Sequence, residues 1–134
     1  MMVKDNDCKN YKIGSSEEAY QLIEEYFSGL DREHFVCIML NTAKHVVGFE
    51  TVAIGSLSSC LVHPREVFKG AILANSASII VAHNHPSGGI EPSREDIIIT
   101  TRLKEAGDLL GITVLDHIIA GEGSFCSLKE KGLL

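Results

Sequence analysis

The stretch that most limits what this chain can become is Ser78-Ile79-Ile80-Val81-Ala82-His83-Asn84-His85. A charge-free run rich in β-branched residues reads as a strand buried on both faces, and such a strand needs a layer of structure on each side. It drives into two histidines, after which Pro86-Ser87-Gly88-Gly89 turns the chain and Ser93 and Asp96 arrive at a helix start. Residues i and i+2 of a strand point to the same side. His83 and His85 can therefore converge on one metal ion. A carboxylate as third ligand would leave a fourth position for water, the arrangement of a catalytic rather than a closed structural site.

The rest of the chain supplies the layers. Residues 1–10 are expected to form a flexible tail, and residues 11–134 one domain. Ser15 and Glu18 form a capping box for a helix whose stripe is Ala19, Leu22, Ile23, Tyr26, Phe27 and Leu30, with Ser28-Gly29 ending or distorting it. Phe35 to Leu40 reads as a central strand. Asn41 to Lys44 turns it into a return strand over His45 to Ile54, with Gly48 as a bulge. A third strand is expected over Leu57 to Val62. His63-Pro64 then opens a helix with Val67, Phe68, Ala71 and Ile72 inward. After the strand of Ser78 to Ala82 comes a helix with Ile99, Leu103, Ala106 and Leu110 at helical spacing, stopped by Gly111. Ile112 to Ile119 returns as a strand, and Phe125 to Ser127 pairs back on it. The order α, β, β, β, α, β, α, β, β predicts an α/β fold: a single three-layer domain with a mixed sheet flanked by helices.

Ser93 and Asp96 alone are an ordinary capping signature, and an isolated His-x-His more often satisfies backbone groups than binds metal. Taken together, His83-x-His85, seven residues, Ser93, two residues and Asp96 resemble the H-x-H-x7-S-x2-D motif of the JAB/MPN metalloenzymes, also called JAMM. His63-Pro64-Arg65-Glu66-Val67, Ala82-His83-Asn84-His85-Pro86-Ser87-Gly88, Pro92-Ser93 and Leu115-Asp116-His117-Ile118-Ile119 look like signature stretches of the RadC branch, from roughly Tyr20 to the C-terminus. The resemblance implies a JAB/MPN, cytidine-deaminase-like fold. It is closest to short members, since the chain has no room for the helix-hairpin-helix region of full-length RadC proteins.

What the resemblance implies for the site is specific. His83, His85 and Asp96 would hold one Zn2+ per chain, and Ser93 would donate a hydrogen bond to the developing oxyanion while also capping its helix. The general base would be a glutamate at the start of the strand after the first helix. Glu33 fits that place, with Glu50 on the next strand as its rival and Glu66, early in a helix, as a weaker one. Asn84 should face the opposite side of its strand and hold the loop. Asp116 and His117 interrupt an apolar strand and read either as support for a ligand histidine or as a structural pair. His34, His45 and His63 lack partner spacing for ligation.

Composition narrows the function classes. A net charge of -6 gives no electrostatic footprint for phosphates, so autonomous nucleic-acid binding is not expected. Cys8, Cys37, Cys60 and Cys126 include no C-x-x-C pair and are expected to be reduced, non-ligand thiols. The N-terminus has no signal-peptide core and no run suits a membrane span, so a cytoplasmic protein is expected. The leading expectation is a zinc-dependent metalloprotease or isopeptidase acting on peptide or protein substrates. A RadC-type DNA repair or recombination role, or a metal-binding interaction module without turnover, stays open, as does assembly into a homo-oligomer.

Overall fold

Ser15 sets the first helix: its Oγ accepts from the Glu18 backbone N–H at 3.2 Å, and α1 runs Ser16–Phe27. The Glu18 carboxylate reaches back one residue further than expected, to the N–H of Gly14 at 2.8 Å. Ala19, Tyr20, Ile23 and Phe27 are the buried face. Leu22, Tyr26 and Leu30 are only partly buried around it. Tyr20, outside the expected stripe, is drawn in by stacking on Phe125 with ring centroids 4.7 Å apart.

The computed structural model describes residues 11–55 and 62–134. The expected tail over 1–10, the expected third strand except for its last residue Val62, and the thiols of Cys8 and Cys60 lie outside the described residues. No helix among those described is long and apolar enough to cross a membrane.

Strands β1 (His34–Leu40) and β2 (Val46–Ile54) form the expected hairpin. Asn41 builds its turn, its Oδ1 accepting from the N–H groups of Ala43 and His45, each at 3.0 Å. Gly48 is not itself the extra residue. It pairs with Met39, and the next pair, Leu40 with Val46, passes over Val47, which faces solvent. Helix α2 (Pro64–Leu73), strand β3 (Ser78–Asn84), helix α3 (Arg94–Leu110), strand β4 (Thr113–Ala120) and strand β5 (Phe125–Ser127) follow.

The sheet order is β2-β1-β3-β4-β5. β3 is central, antiparallel to β1 and parallel to β4, with α3 as the crossover, while β5 returns antiparallel on β4. Every residue of β3 is buried, as a strand covered on both faces must be. On one face Val36, Ile38, Leu40, Ile80, Ala82 and Ile118 pack with Ala19, Ile23 and Phe27 of α1. On the other, Phe35, Cys37, Met39, Ile79, Val81 and Val114 pack with Val67, Phe68 and Ala71 of α2 and Ile99 and Leu103 of α3. The three-layer mixed α/β domain expected from the sequence is the one observed.

Two details of this frame position the functional residues. Phe35 pairs with His83 at the last rung between β1 and β3, so the start of β1 lies beside the end of β3. Between β3 and β4 the register passes from Ile79–Val114 to Ile80–Asp116, leaving Leu115 as an extra residue. Side chains alternate along a strand, so this bulge turns His117, rather than Asp116, toward the α2–α3 face. On that face α3 lies close to the sheet. A Cβ at Gly107 would come within 2.4 Å of the Ile112 carbonyl oxygen and 3.3 Å of Phe68. Gly107→Ala is expected to lower stability by about 1–3 kcal/mol through overpacking, read as a lower urea midpoint with an unchanged slope.

Candidate metal centre

β3 ends at Asn84, so His83 is its last residue but one and His85 sits just past it. Their side chains nonetheless converge. The His85 N–H still donates to the Ala120 carbonyl at 3.0 Å, and the turn that follows closes through Gly88 N–H to His85 O at 2.8 Å. Gly88 takes a φ of 90° there, in the region open to glycine. Gly121 admits this loop. A Cβ on Gly121 would lie 2.6 Å from the Gly88 carbonyl oxygen.

Asp96 enters from the first turn of α3. Ser93 is the N-cap: its Oγ accepts from Asp96 N–H at 3.0 Å, and Asp96 Oδ2 accepts from Ser93 N–H at 2.8 Å. The capping box thereby fixes the carboxylate's direction. His83 Nε2 lies 3.2 Å from Asp96 Oδ1, His85 Nε2 3.3 Å from Asp96 Oδ2, and the two Nε2 atoms 3.0 Å apart. Glu33, at the loop before β1, joins them: one ligand atom from each of Glu33, His83 and His85 lies within 4.8 Å of the other two.

The outward nitrogens of the histidines decide what the inward ones present. His85 Nδ1 lies 2.8 Å from the Gly89 carbonyl and can only donate to it. His83 Nδ1 lies 2.8 Å from His117 Nε2, and His117 Nδ1 lies 2.5 Å from Thr100 Oγ1. The Thr100 hydroxyl donates to the Asp96 carbonyl at 2.7 Å, so it accepts from His117. His117 Nε2 then accepts from His83 Nδ1–H, and His83 turns a bare Nε2 lone pair toward Asp96. With neutral rings, both histidines aim lone pairs at one point beside a carboxylate. Donors around a zinc at about 2.0–2.1 Å bond lengths stand about 3.3 Å apart in a tetrahedron, close to the spacings here. The donor set fits such an ion.

The electrostatics agree with a cluster arranged for positive charge. Burial alone would raise Asp96, but its interactions with His83 and His85 outweigh it and hold the carboxyl well below the usual range. The bond to Asp96 raises His85, against the opposing effect of its partial burial. His117, fully buried and beside His83, is pushed well below the ordinary imidazole value and stays neutral. Phe35 walls the site, its ring stacked on His83 at 6.1 Å and edge-on to His117 at 5.6 Å. Beside His85 a cleft of about 410 Å³ opens toward α1, lined by Tyr20, Glu24, Phe27, Pro86 and Glu122 among others.

The remaining residues singled out in the sequence divide. Glu50 lies mid-strand opposite Cys37, its carboxylate over Gly70 of α2, where a Cβ would approach Oε2 to 2.9 Å. It does not join the cluster. Burial, and next Glu50 itself, push the Cys37 thiol up. Glu66, on the exposed first turn of α2, pairs with Lys69 at 3.3 Å. Asp116 and His117 part company. His117 supports His83, while Asp116 on the other face accepts from its neighbour's N–H at 2.7 Å, Ser127 Oγ at 2.6 Å and Lys129 N–H at 3.1 Å, fastening the C-terminal turn. Asn84 grips the backbone on either side of Glu33. Thr100 escaped the sequence reading, although its place four residues after Asp96 puts both on one helix face.

A family model described as the RadC-like JAB domain matches residues 13–133. Among curated relatives, a UPF0758 protein of Shouchella clausii is 56% identical over 120 residues, covering 90% of this chain and 52% of its own. A UPF0758 protein of Clostridium kluyveri is 53% identical over 131 residues, 98% of this chain and 57% of its own. The chain spans about half the length of the relatives it matches.

Histidine protonation tests the cluster without any metal. In the metal-free protein His85 should titrate above about 6.5 and His117 below it, read by NMR of the ring C–H signals. The His85–Asp96 pair stabilises the fold fully below about 6.5 and ceases to as the pH rises through the His85 folded value. Asp96→Asn should bring His85 down. A His85 midpoint that does not move would show that Asp96 is not its partner.

Proposed function

The chain belongs to the RadC-like JAB domain family, and on that footing we propose that it is a zinc-dependent hydrolase of amide bonds in peptides or proteins. The observation that carries the reading is the convergence of the two Nε2 atoms and the Asp96 carboxylate, 3.0 to 3.3 Å apart, with a glutamate beside them. His83, His85 and Asp96 would hold the ion, two imidazoles and a carboxylate being a donor set suited to zinc. A bound zinc would acidify a water and polarise the substrate carbonyl.

Each of the chain's own residues then has a task. Glu33, half-buried and within 4.8 Å of the histidine nitrogens, accepts a proton from the attacking water and delivers it to the departing amine. Ser93 accepts from Asp96 N–H through its Oγ, which leaves its hydroxyl hydrogen free for the oxyanion. His117 and Thr100 keep His83 in the tautomer that leaves Nε2 bare. The cleft beside His85 gives a substrate chain access to the site.

Metal analysis and peptide hydrolysis test this together. One zinc per chain is expected, lost in His83→Ala and retained in Glu33→Gln. The latter should hydrolyse peptides about 10²–10⁴-fold more slowly. A Glu33→Gln protein as active as the wild type would sink the assignment of the base. A zinc-saturated wild type without turnover on peptide or isopeptide libraries would favour an interaction module instead.

Thr100→Val separates support from ligation. It leaves His117 Nδ1–H buried without an acceptor, at a cost of about 1–3 kcal/mol. Zinc affinity should fall by about 10–100-fold, measured by competition with a chelating dye.

A further inference from the structure

Asn84 stands between the two ligand histidines in sequence and points to the opposite face of β3. It is 4% exposed, and both ends of its carboxamide are engaged. Oδ1 accepts from His34 N–H at 2.6 Å and Nδ2 donates to the Arg32 carbonyl at 3.0 Å. Those two groups belong to the peptide units immediately before and after Glu33. The Glu33 carbonyl in turn accepts from Gly55 N–H at 2.8 Å.

The sheet needs such a device at this point. Main-chain pairing between β1 and β3 stops at Phe35 with His83, two residues short of Glu33. A carboxamide carries a donor and an acceptor in one plane, as a peptide group does, so the Asn84 side chain extends the ladder where the backbone has ended. Aspartate would lack the donor and an apolar residue both. Reacting groups must be held to within about half an ångström, which a carboxylate on an untethered loop is not.

We infer that Asn84 is the positioning residue for Glu33, locking the backbone of the base to the strand that carries His83, so that base and metal centre move as one body. The inference rests on the hydrolase reading above. Asn84 borders the cleft beside His85, but both ends of its carboxamide are taken up by the backbone around Glu33, through which it would act. It also explains why the base can come from 50 residues upstream of His83 and yet be held in register with it.

The test uses Asn84→Ala and Asn84→Asp, with the Glu33 carboxyl observed by carbon-13 NMR. In the wild type the Glu33 signal should move on adding one equivalent of zinc. In Asn84→Ala zinc is expected to stay bound and KM to stay within about twofold, while kcat falls by about 10–100-fold and the Glu33 signal responds much less. Asn84→Asp keeps the acceptor for His34 N–H and should be intermediate, and it decides the matter if the alanine variant does not fold. A kcat unchanged in the variants overturns the inference, as does a Glu33 signal that responds as in the wild type. A loss of kcat that merely tracks lost zinc overturns it too, because Asn84 would then be acting through the histidines. A wild-type Glu33 that does not sense zinc at all overturns the hydrolase reading and this inference with it. Full zinc sensing in wild type and variants alike removes only the role of Asn84.

Discussion

A fully buried imidazole must satisfy two ring nitrogens without water, and the arrangement of β3, β4 and α3 follows from how those of His83 are met. Nδ1 is answered by His117, which requires β4 to lie parallel beside β3 with His117 opposite Val81. His117 in turn needs Thr100, which requires α3 to cross over both strands with its second turn against them. The Thr100 hydroxyl closes the series on the Asp96 carbonyl, within the turn that also presents the Asp96 carboxylate. Four polar groups on three elements are thus satisfied in sequence, and the unassigned lone pair falls at Nε2, where the other donors gather.

The motif Ser93-x-x-Asp96 shows how an ordinary local device can serve a site. Asp96 Oδ2 accepts from Ser93 N–H as any capping box would, and the same oxygen faces His85 Nε2 at 3.3 Å, while Oδ1 faces His83 Nε2 at 3.2 Å. Nothing in the cap is diverted from its structural task. The helix start removes the carboxylate's rotational freedom, so less entropy remains to be lost when a cation arrives. The cap and the carboxylate's approach to the two histidines are here one geometry, and the two readings open in the sequence do not compete.

Much of this was legible beforehand because it is local. The hairpin around Asn41 and the stop at Gly111 each depend on neighbours within a few residues and each is found, as are Ala19, Ile23 and Phe27 of the α1 stripe, while Tyr20 is buried by the distant Phe125. The layers were legible too, since a strand buried along its whole length demands cover on both sides. Less legible was what depends on pairing across the chain. The place of β3 between β1 and β4 brings Glu33 to the end of β3 and leaves Glu50 beneath α2, and both glutamates look alike as strand residues. Asp116 and His117 could not be told apart because their faces depend on a register shift invisible in local pattern. Thr100 read as one more helical residue. Its hydroxyl gains meaning only from a histidine on a strand that follows the helix.

That register shift turns on a single residue. Between Ile79 and Ile80 the partner strand spends one residue more than its neighbour, and Leu115 takes up the slack. Phase along the strand, rather than identity at any one position, is what offers an imidazole to His83 in place of a carboxylate. Without Leu115, Val114 and Asp116 would pair with Ile79 and Ile80 in unbroken alternation and both faces would be kept, whereas the same residues drawn out without the bulge would exchange them. The bulge thus lets the sheet itself absorb one residue, a task that elsewhere falls to surface loops.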